Sequence, residues 1–342
     1  QMEFTGSLDV FQYISGKGIF EFDDLLHNTI GSLAGYFLVM AIMTSIEQRK
    51  LKLAPIVKAF AIPLIFVLLF GIASVVYNAQ EFGNLAFKPV QKQSMEQIDV
   101  QLETQLSNKS TNACMYHNSD VRDINNFKTV SQSISDQFAL QQHGGIRMEG
   151  ENRQLQLIDE EGEFYYLTYF MSNGSWSFSS DAYSEEVPKV DIEQQKRSME
   201  DWIENEGLFP SNATYQKQDE RTIRWDLEKR ENVQSTCEDF SQGFIVVNLS
   251  DKQTPDSIIY DVSDNKLVRE KEVISQQEAY KALLNGEFSL FNPLQKGDKL
   301  TITDVRIDYT YDTKGYYQPV YVFNGNVNDP DSTVEILIPA IN

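Results

Sequence analysis

Two uncharged apolar runs near the start of the chain constrain it more than anything else. Leu25 to Ile46 holds no Asp, Glu, Lys or Arg and one histidine, His27, and Ala59 to Tyr77 holds no charged residue. At 1.5 Å of rise per residue each would span roughly 28–33 Å, about the thickness of a hydrocarbon core. Pro63 lies inside the second run, and a membrane-spanning helix tolerates such a proline with a kink. Between the runs lies EQRKLKLAPIVK, with four basic residues and one acidic residue. Positive-inside reasoning places that loop in the cytoplasm, and the loop around Lys17 and everything after Tyr77 on the other side. The expected arrangement is a membrane α-helical hairpin, helices about 25–46 and 56–77, followed by an extracytoplasmic α+β portion. The expected location is the cell membrane, with residues 79–342 outside.

The charge is divided as unevenly as the hydropathy. Of 50 acidic and 29 basic residues, only six and five lie in residues 1–77, which leaves 44 acids against 24 bases beyond them. So acidic a portion repels nucleic acid and anionic lipid surfaces, and a basic partner, a metal ion or a cationic wall polymer would suit it better. The chain opens at Gln1 without a basic-then-apolar signal segment, and residues 1–22 read as the continuation of something longer.

Within the first helix, Asp24, Asn28, Gly31 and Gly35 fall on one stripe. Gly31 and Gly35 form a GxxxG, which allows another helix to come close. Asp24 reads either as a cap on the helix N-terminus or as part of a polar site. Upstream stand Asp9-x-x-Gln12 and Gly16-Lys17. In order, these positions resemble the VanZ-like membrane proteins, whose pattern runs roughly E-x-x-Q, Gly-Arg, then D-x-x-x-N-x-x-G-x-x-x-G. Asp9 replaces the family's Glu and Lys17 its Arg, and a lysine lacks the two-pronged carboxylate recognition of a guanidinium. The resemblance covers about residues 5–78, the C-terminal half of such a domain. It implies a binding site at Asp9, Gln12, Gly16, Lys17, Asp24 and Asn28, helix packing at Gly31 and Gly35, and a theme of glycopeptide (teicoplanin) resistance.

Beyond the polar stalk 78–96, three helices alternate with groups of strands. The first spans about 123–140, with Ile124, Phe127, Val130, Ile134 and Phe138 at helical spacing. The second starts at Asp191 with Gln194 three residues on, and the third starts at Ser275 with Glu278 three residues on and stops at Gly286. Strands are expected near 98–106, 152–158, 163–171, 175–180, 214–228, 243–249, 257–262, 299–311, 317–325 and 333–339. The hydrophobic phase inverts within 299–311, which predicts a bulge near Thr303 and Asp304. The fold class expected is repeated units of one helix packed on a small antiparallel sheet, with modules at 79–187, 188–268 and 269–342. One larger curved sheet bearing helices on one face is the alternative. The last module, with ISQQEAYKALLNGEF, VRIDYTYD and YYQPVYVFNG, resembles PepSY-like and YycI-type extracytoplasmic regulatory domains.

Chemistry is sparse. No nucleophile elbow, phosphate loop, dinucleotide fingerprint or zinc-binding frame occurs, and acid clusters sit at turns without calcium-loop spacing. No metal or other cofactor is expected, and no catalytic residue is named. Cys114 and Cys237 either form a disulfide or remain two thiols. Aromatic side chains crowd two hairpins, around Phe164–Phe178 and Tyr309–Phe323, and would either face a ligand or pack between modules. The functional expectation is a non-enzymatic cell-envelope protein whose acidic ectodomain binds an envelope ligand or protein. Its expected partners are the lipid bilayer and a glycopeptide or peptidoglycan precursor or a membrane protein, with no nucleic acid. The alternatives are a tethered regulator that docks on a sensor kinase, and an envelope hydrolase.

Overall fold

The computed structural model describes residues 22–48, 53–88, 92–182, 191–227 and 237–341. The chain divides into two compact units, one up to Glu81 and one from Phe82 onward. The first unit holds helices α1 (Phe22–Gln48) and α2 (Leu53–Ala79). Leu38, Ile42, Leu68 and Phe70 are among their exposed side chains.

The expectation of two membrane spans is corrected here. Among the described residues, no helix is long and apolar enough to cross a membrane. The transmembrane hairpin in the fold class falls, and with it the cell-membrane and extracytoplasmic placement, which rested on those spans.

The second unit is mostly β. In chain order it contains β1 (Asp99–Leu102), β2 (Thr111–His117), α3 (Ile124–Gln137), β3 (Gln141–Gln142), β4 (Arg147–Glu149), β5 (Asn152–Ile158), β6 (Phe164–Tyr169) and β7 (Trp176–Ser180). Next come α4 (Ile192–Asn205), β8 (Thr214–Lys217), β9 (Thr222–Asp226), β10 (Phe240–Asn248), β11 (Ser257–Val273), α5 (Gln276–Leu284), β12 (Lys299–Tyr311), β13 (Tyr316–Val327) and β14 (Thr333–Pro339). Among the described residues the 14 strands form one hydrogen-bonded network.

The expected repeat of one helix on one small sheet is also overturned, and β11 is the reason. Its first half pairs antiparallel with β10 and, over Ser257–Tyr260, with β7. Its second half pairs antiparallel with β2, with a bulge between Leu267 and Arg269. One 17-residue strand therefore belongs to two sheets and fuses what would otherwise be separate modules.

Two cores flank this strand. In one, α3 and α4 lie on the same sheet and share a core. Phe127, Val130 and Ile134 meet Met199, Trp202 and Ile203 over Leu167, Phe178, Ile245 and Ile258. Each such buried side chain contributes about 1.5–3 kcal/mol. In the other, Ala279 and Leu283 of α5 pack on Val273, Leu300, Tyr321, Phe323, Ile336 and Ile338. The inverted phase in β12 has the expected cause, since the β12–β13 register shifts between Ile302 and Asp304.

The start of this unit is clasped to the β12–β13 turn. Asp312, 3% exposed, accepts from the backbone N–H groups of Gly83 (2.6 Å), Lys314 (2.8 Å) and Tyr316 (3.0 Å), and from Gln318 Nε2. Asn84 N–H donates to Thr313 Oγ1 at 2.7 Å, and Leu85 bridges to Asp312. A Cβ on Gly83 would lie 2.5 Å from the Lys314 nitrogen, so only glycine fits.

Candidate functional site

A candidate ligand position lies where α5, the end of β14, Lys88 and Lys92 meet. Local sequence explains how they converge. Ser275 caps α5 through the Glu278 N–H, while the Glu278 carboxylate accepts from the Ser275 N–H at 2.8 Å. Gly286, at φ +72°, ends the helix with a left-handed turn that a side chain would strain. Its bare Cα also admits Gln93, whose carbonyl oxygen lies 1.9 Å from where a Cβ would be. Gln93 N–H donates to the Gly286 carbonyl at 2.8 Å, and its side-chain amide donates to the Leu294 carbonyl at 3.1 Å. Residue 93 is thereby fixed across the helix end, and the lysines before it are brought beside α5.

The resulting cleft has a volume of about 440 Å³. Ile274, Ala282, Ile338, Pro339 and Ile341 make its apolar walls, and Lys88, Lys92 and Glu287 stand at its rim. Lys92 Nζ pairs with Glu287 Oε1 at 2.7 Å. Lys88 has no side-chain partner among the described residues and is exposed. The rim therefore carries one uncompensated positive charge in a protein of net charge −21. Some backbone groups in the walls are already engaged, while β14 pairs only with β13 among the described residues and leaves its other edge open. Ile274 N–H donates to the Ala340 carbonyl at 3.0 Å, and Ala340 N–H donates to Pro319. Tyr321 Oη donates to the Ile274 carbonyl at 2.6 Å, and Pro339 has no N–H.

A second hollow, about 550 Å³, lies between α3 and α4 and is lined by Lys128, Thr129, Gln132, Asp136, Gln137 and Glu206 around Ser133 and Trp202. It is the larger of the two. Trp202 Nε1 already donates to Ser133 Oγ at 3.0 Å, and Gln132 to Asp136 at 2.8 Å, so its polar lining is largely self-satisfied.

Carboxylates elsewhere in the unit serve turns and strand ends. Lys252 bonds Glu163 and lies 3.3 Å from Glu161 Oε2 and 3.9 Å from Asp159 Oδ2. Burial pushes the Asp159 carboxyl up, but the N–H groups of Glu163 and Glu161 and the Lys252 ammonium outweigh it and hold it below its ordinary value. Glu163 is likewise held down against its burial by Lys252 and Ser180. Asp120 is raised, by burial first and then by Asp264 and Asp123. Among the described residues, no group of three or more His, Cys, Asp or Glu is arranged to hold a metal ion.

Asp9, Gln12, Gly16 and Lys17 lie outside the described residues. Asp24 and Asn28 fall within the α1 backbone, but their side chains also lie outside them. Gly31 and Gly35 are described, and a Cβ on either would meet nothing within 4 Å, so the close approach their spacing permits is not made among the described residues. Cys114 and Cys237 are joined in a disulfide with Cα atoms 5.6 Å apart. Of the crowded aromatics, Tyr165, Tyr169, Trp176, Phe178, Tyr321 and Phe323 are buried. Tyr309 and Tyr317 pack at 5.3 Å on each other, beside Tyr116 and Phe240 over the disulfide. The open choice between ligand contact and internal packing resolves to packing at these positions. Sequence reasoning passed over Lys88 and Lys92 as part of a stalk. The available signal was a pair of lysines in a strongly acidic unit.

No family model and no curated protein matches the chain, so the VanZ-like resemblance and its resistance theme receive no support. Among solved structures, the chain is similar to the C-terminal domain of YpeB from Bacillus megaterium. The identity is 11% and the TM-score 0.28, covering 64% of this chain and 92% of that one. It is also similar to an uncharacterized protein from Eubacterium rectale, at 7% identity and a TM-score of 0.29, covering 75% and 91%. Likeness at this level carries neither fold nor function.

Proposed function

We propose that the chain is a non-enzymatic binding protein whose acidic unit takes its ligand in the cleft between α5, β14, Lys88 and Lys92. One observation carries this reading, an apolar cleft of about 440 Å³ with a single uncompensated ammonium at its rim. That volume falls in the range of small-ligand sites, which are mostly apolar with a few polar groups that fix orientation. Lining residues come from three separate segments held by capping, a glycine contact and a ladder end, so the cleft is formed before a ligand arrives. Preformed walls lower the ordering cost of binding. The groups at the rim, two amines and one paired carboxylate, orient a ligand without supplying an obvious nucleophile or proton relay.

The test is a thermal-shift panel on the full chain, with aliphatic carboxylates, aliphatic amines, apolar peptides and peptidoglycan fragments as probes. At least one class is expected to raise the melting temperature saturably, without turnover, and to lose that effect in Ala282→Trp, which fills the cleft. A panel with no shift in the wild type would end the proposal, and so would chemical conversion of the bound probe.

A further inference from the structure

We infer that an extended peptide adds a strand to the free edge of β14 and sets an apolar side chain in the cleft beside it. This inference deepens the function proposed above and rests on it.

The β13–β14 ladder fixes which backbone groups face that edge. Among the described residues, β14 pairs only with β13. Val327 N–H donates to the Ser332 carbonyl at 2.9 Å, and Ala340 N–H donates to the Pro319 carbonyl at 3.3 Å. Both bonds continue the register in which Ile336 opposes Phe323 and Ile338 opposes Tyr321. In an antiparallel pair, bonded and non-bonded positions alternate. Val334, Ile336 and Ile338 therefore direct their N–H and carbonyl groups at β13. Thr333, Glu335 and Leu337 direct theirs outward, and Pro339 turns out a carbonyl with no N–H.

The character of this edge selects its occupant. Unpaired N–H and carbonyl groups along a strand are matched by a second extended backbone, as in grooves that bind by strand addition. An aliphatic chain laid there would cover those groups without pairing them, at a cost in free energy. Ile336 and Ile338 are buried toward α5, and Ile338 lines the cleft together with Ala282 and Ile341. Alternate side chains of an added strand fall on that same face, where the cleft accepts an apolar one. The net charge of −21 draws in a basic chain and repels an acidic one. A second copy paired edge to edge would bring the same negative charge with it.

The probe is an acetylated and amidated heptapeptide, valine and threonine alternating between lysine ends, titrated into the full chain by calorimetry and followed by amide hydrogen exchange. In the free chain the Glu335 and Leu337 amides are expected to exchange fast, and those of Ile336 and Ile338 slowly. Saturating peptide should slow the first two at least about tenfold. Leu337→Pro deletes an outward N–H that β13 does not use, so the fold should survive and peptide binding should weaken at least about tenfold. Ala282→Trp fills the cleft and should weaken it comparably. Two further peptides carry N-methyl groups on one or the other alternate set of amides, and one should bind like the parent while the other should not. Glu335 and Leu337 amides already slow in the free chain overturn the inference. So does unchanged binding by folded Leu337→Pro or by Ala282→Trp, and so do two methylated peptides that behave alike. If Leu337→Pro does not fold, the methylated pair decides. A wild-type dimer in sedimentation that Leu337→Pro dissociates gives the edge to a second copy and also overturns it. If the peptide does not bind while another probe class raises the melting temperature and loses that effect in Ala282→Trp, strand addition falls and the binding reading stands. If no probe binds, both fall.

Discussion

Asp312→Asn replaces one oxygen of a buried carboxylate by an NH₂ group of the same size. Each Asp312 oxygen serves two donors. Oδ1 accepts from the N–H groups of Lys314 and Tyr316, and Oδ2 from Gly83 N–H and Gln318 Nε2. Whichever way the new amide turns, two N–H groups face a donor instead of an acceptor. Hydrogen bonds to a charged group contribute roughly 1.5–3 kcal/mol each, and a buried donor left without a partner forfeits its desolvation as well. The expected local destabilisation is therefore about 3–5 kcal/mol, a large share of the 5–15 kcal/mol typical of a whole domain. Hydrogen exchange is the right assay, because a chain of two units need not unfold in one step. The Gly83 and Tyr316 amides should exchange on the order of 100-fold faster or more in the variant, while the α3 amides change far less. Exchange at Gly83 and Tyr316 within about threefold of the wild type, in a folded variant, would refute the account of Asp312 as the group that holds the start of the unit.

Three further outcomes follow from the same structure. Gly286→Ala would force a Cβ onto the Gln93 carbonyl at a positive φ, so the unit should lose at least 1–2 kcal/mol of stability (about the strain range) and the cleft should lose its ligand, read by denaturation and titration. Cys114→Ser/Cys237→Ser opens a loop of 123 residues and should cost about 2–5 kcal/mol, and the wild type in reductant should fall to the same midpoint. Lys252→Met removes the cation between Asp159, Glu161 and Glu163. Asp159 and Glu163 are held below their ordinary values, so their contribution is present above the unfolded carboxylate range and is lost as pH falls through their lowered folded values. The variant should accordingly be less stable than the wild type near pH 7, by about 1 kcal/mol given the exposure of the lysine, and the gap should close in acid. A gap that stays constant down to about pH 2, well below the unfolded carboxyl values of about 4, would count against that.

Local signals in the sequence were readable where local physics decides. Asp191 and Ser275 cap their helices, Gly286 stops α5, and the phase inversion in β12 marks a bulge at Thr303, because each depends on residues within one turn. Illegible features depend on distant partners. In β11 the segment SDNKLVREKEV carries alternating charges and few apolar residues, and pairing with β10 at its start and with β2, some 150 residues earlier, over the rest makes it a strand. β2 itself, TNACMYH, follows a polar stretch and is buried from Ala113 to Tyr116 by sheet neighbours that no window around it contains. The reverse error occurred at 214–228, where an apparent single strand divides into β8 and β9. Asp219 accepts from Arg221 and Thr222 there and turns the chain. The cleft was hidden for a related reason. Lys88, Ile274 and Ile338 are unremarkable singly, and only the clasp at Gly286 and the end of β14 bring them together.

The span of β11 across both sheets has a consequence for synthesis of the chain. β1 must wait for β12, its parallel neighbour some 200 residues later, and β2 must wait for β11 and β13. A nascent chain that has emerged as far as α4 can begin the first core, yet the strand that completes it is the one that opens the second. Until about residue 273 has left the ribosome, neither sheet has its shared member, and until β14 follows, α5 has only part of a surface to lie on. Such non-local closure is slow and leaves strand edges bare in the interim. The cleft, built from Lys88, Lys92 and the end of the last strand, is among the last features to form, so a chain that displays it has finished folding.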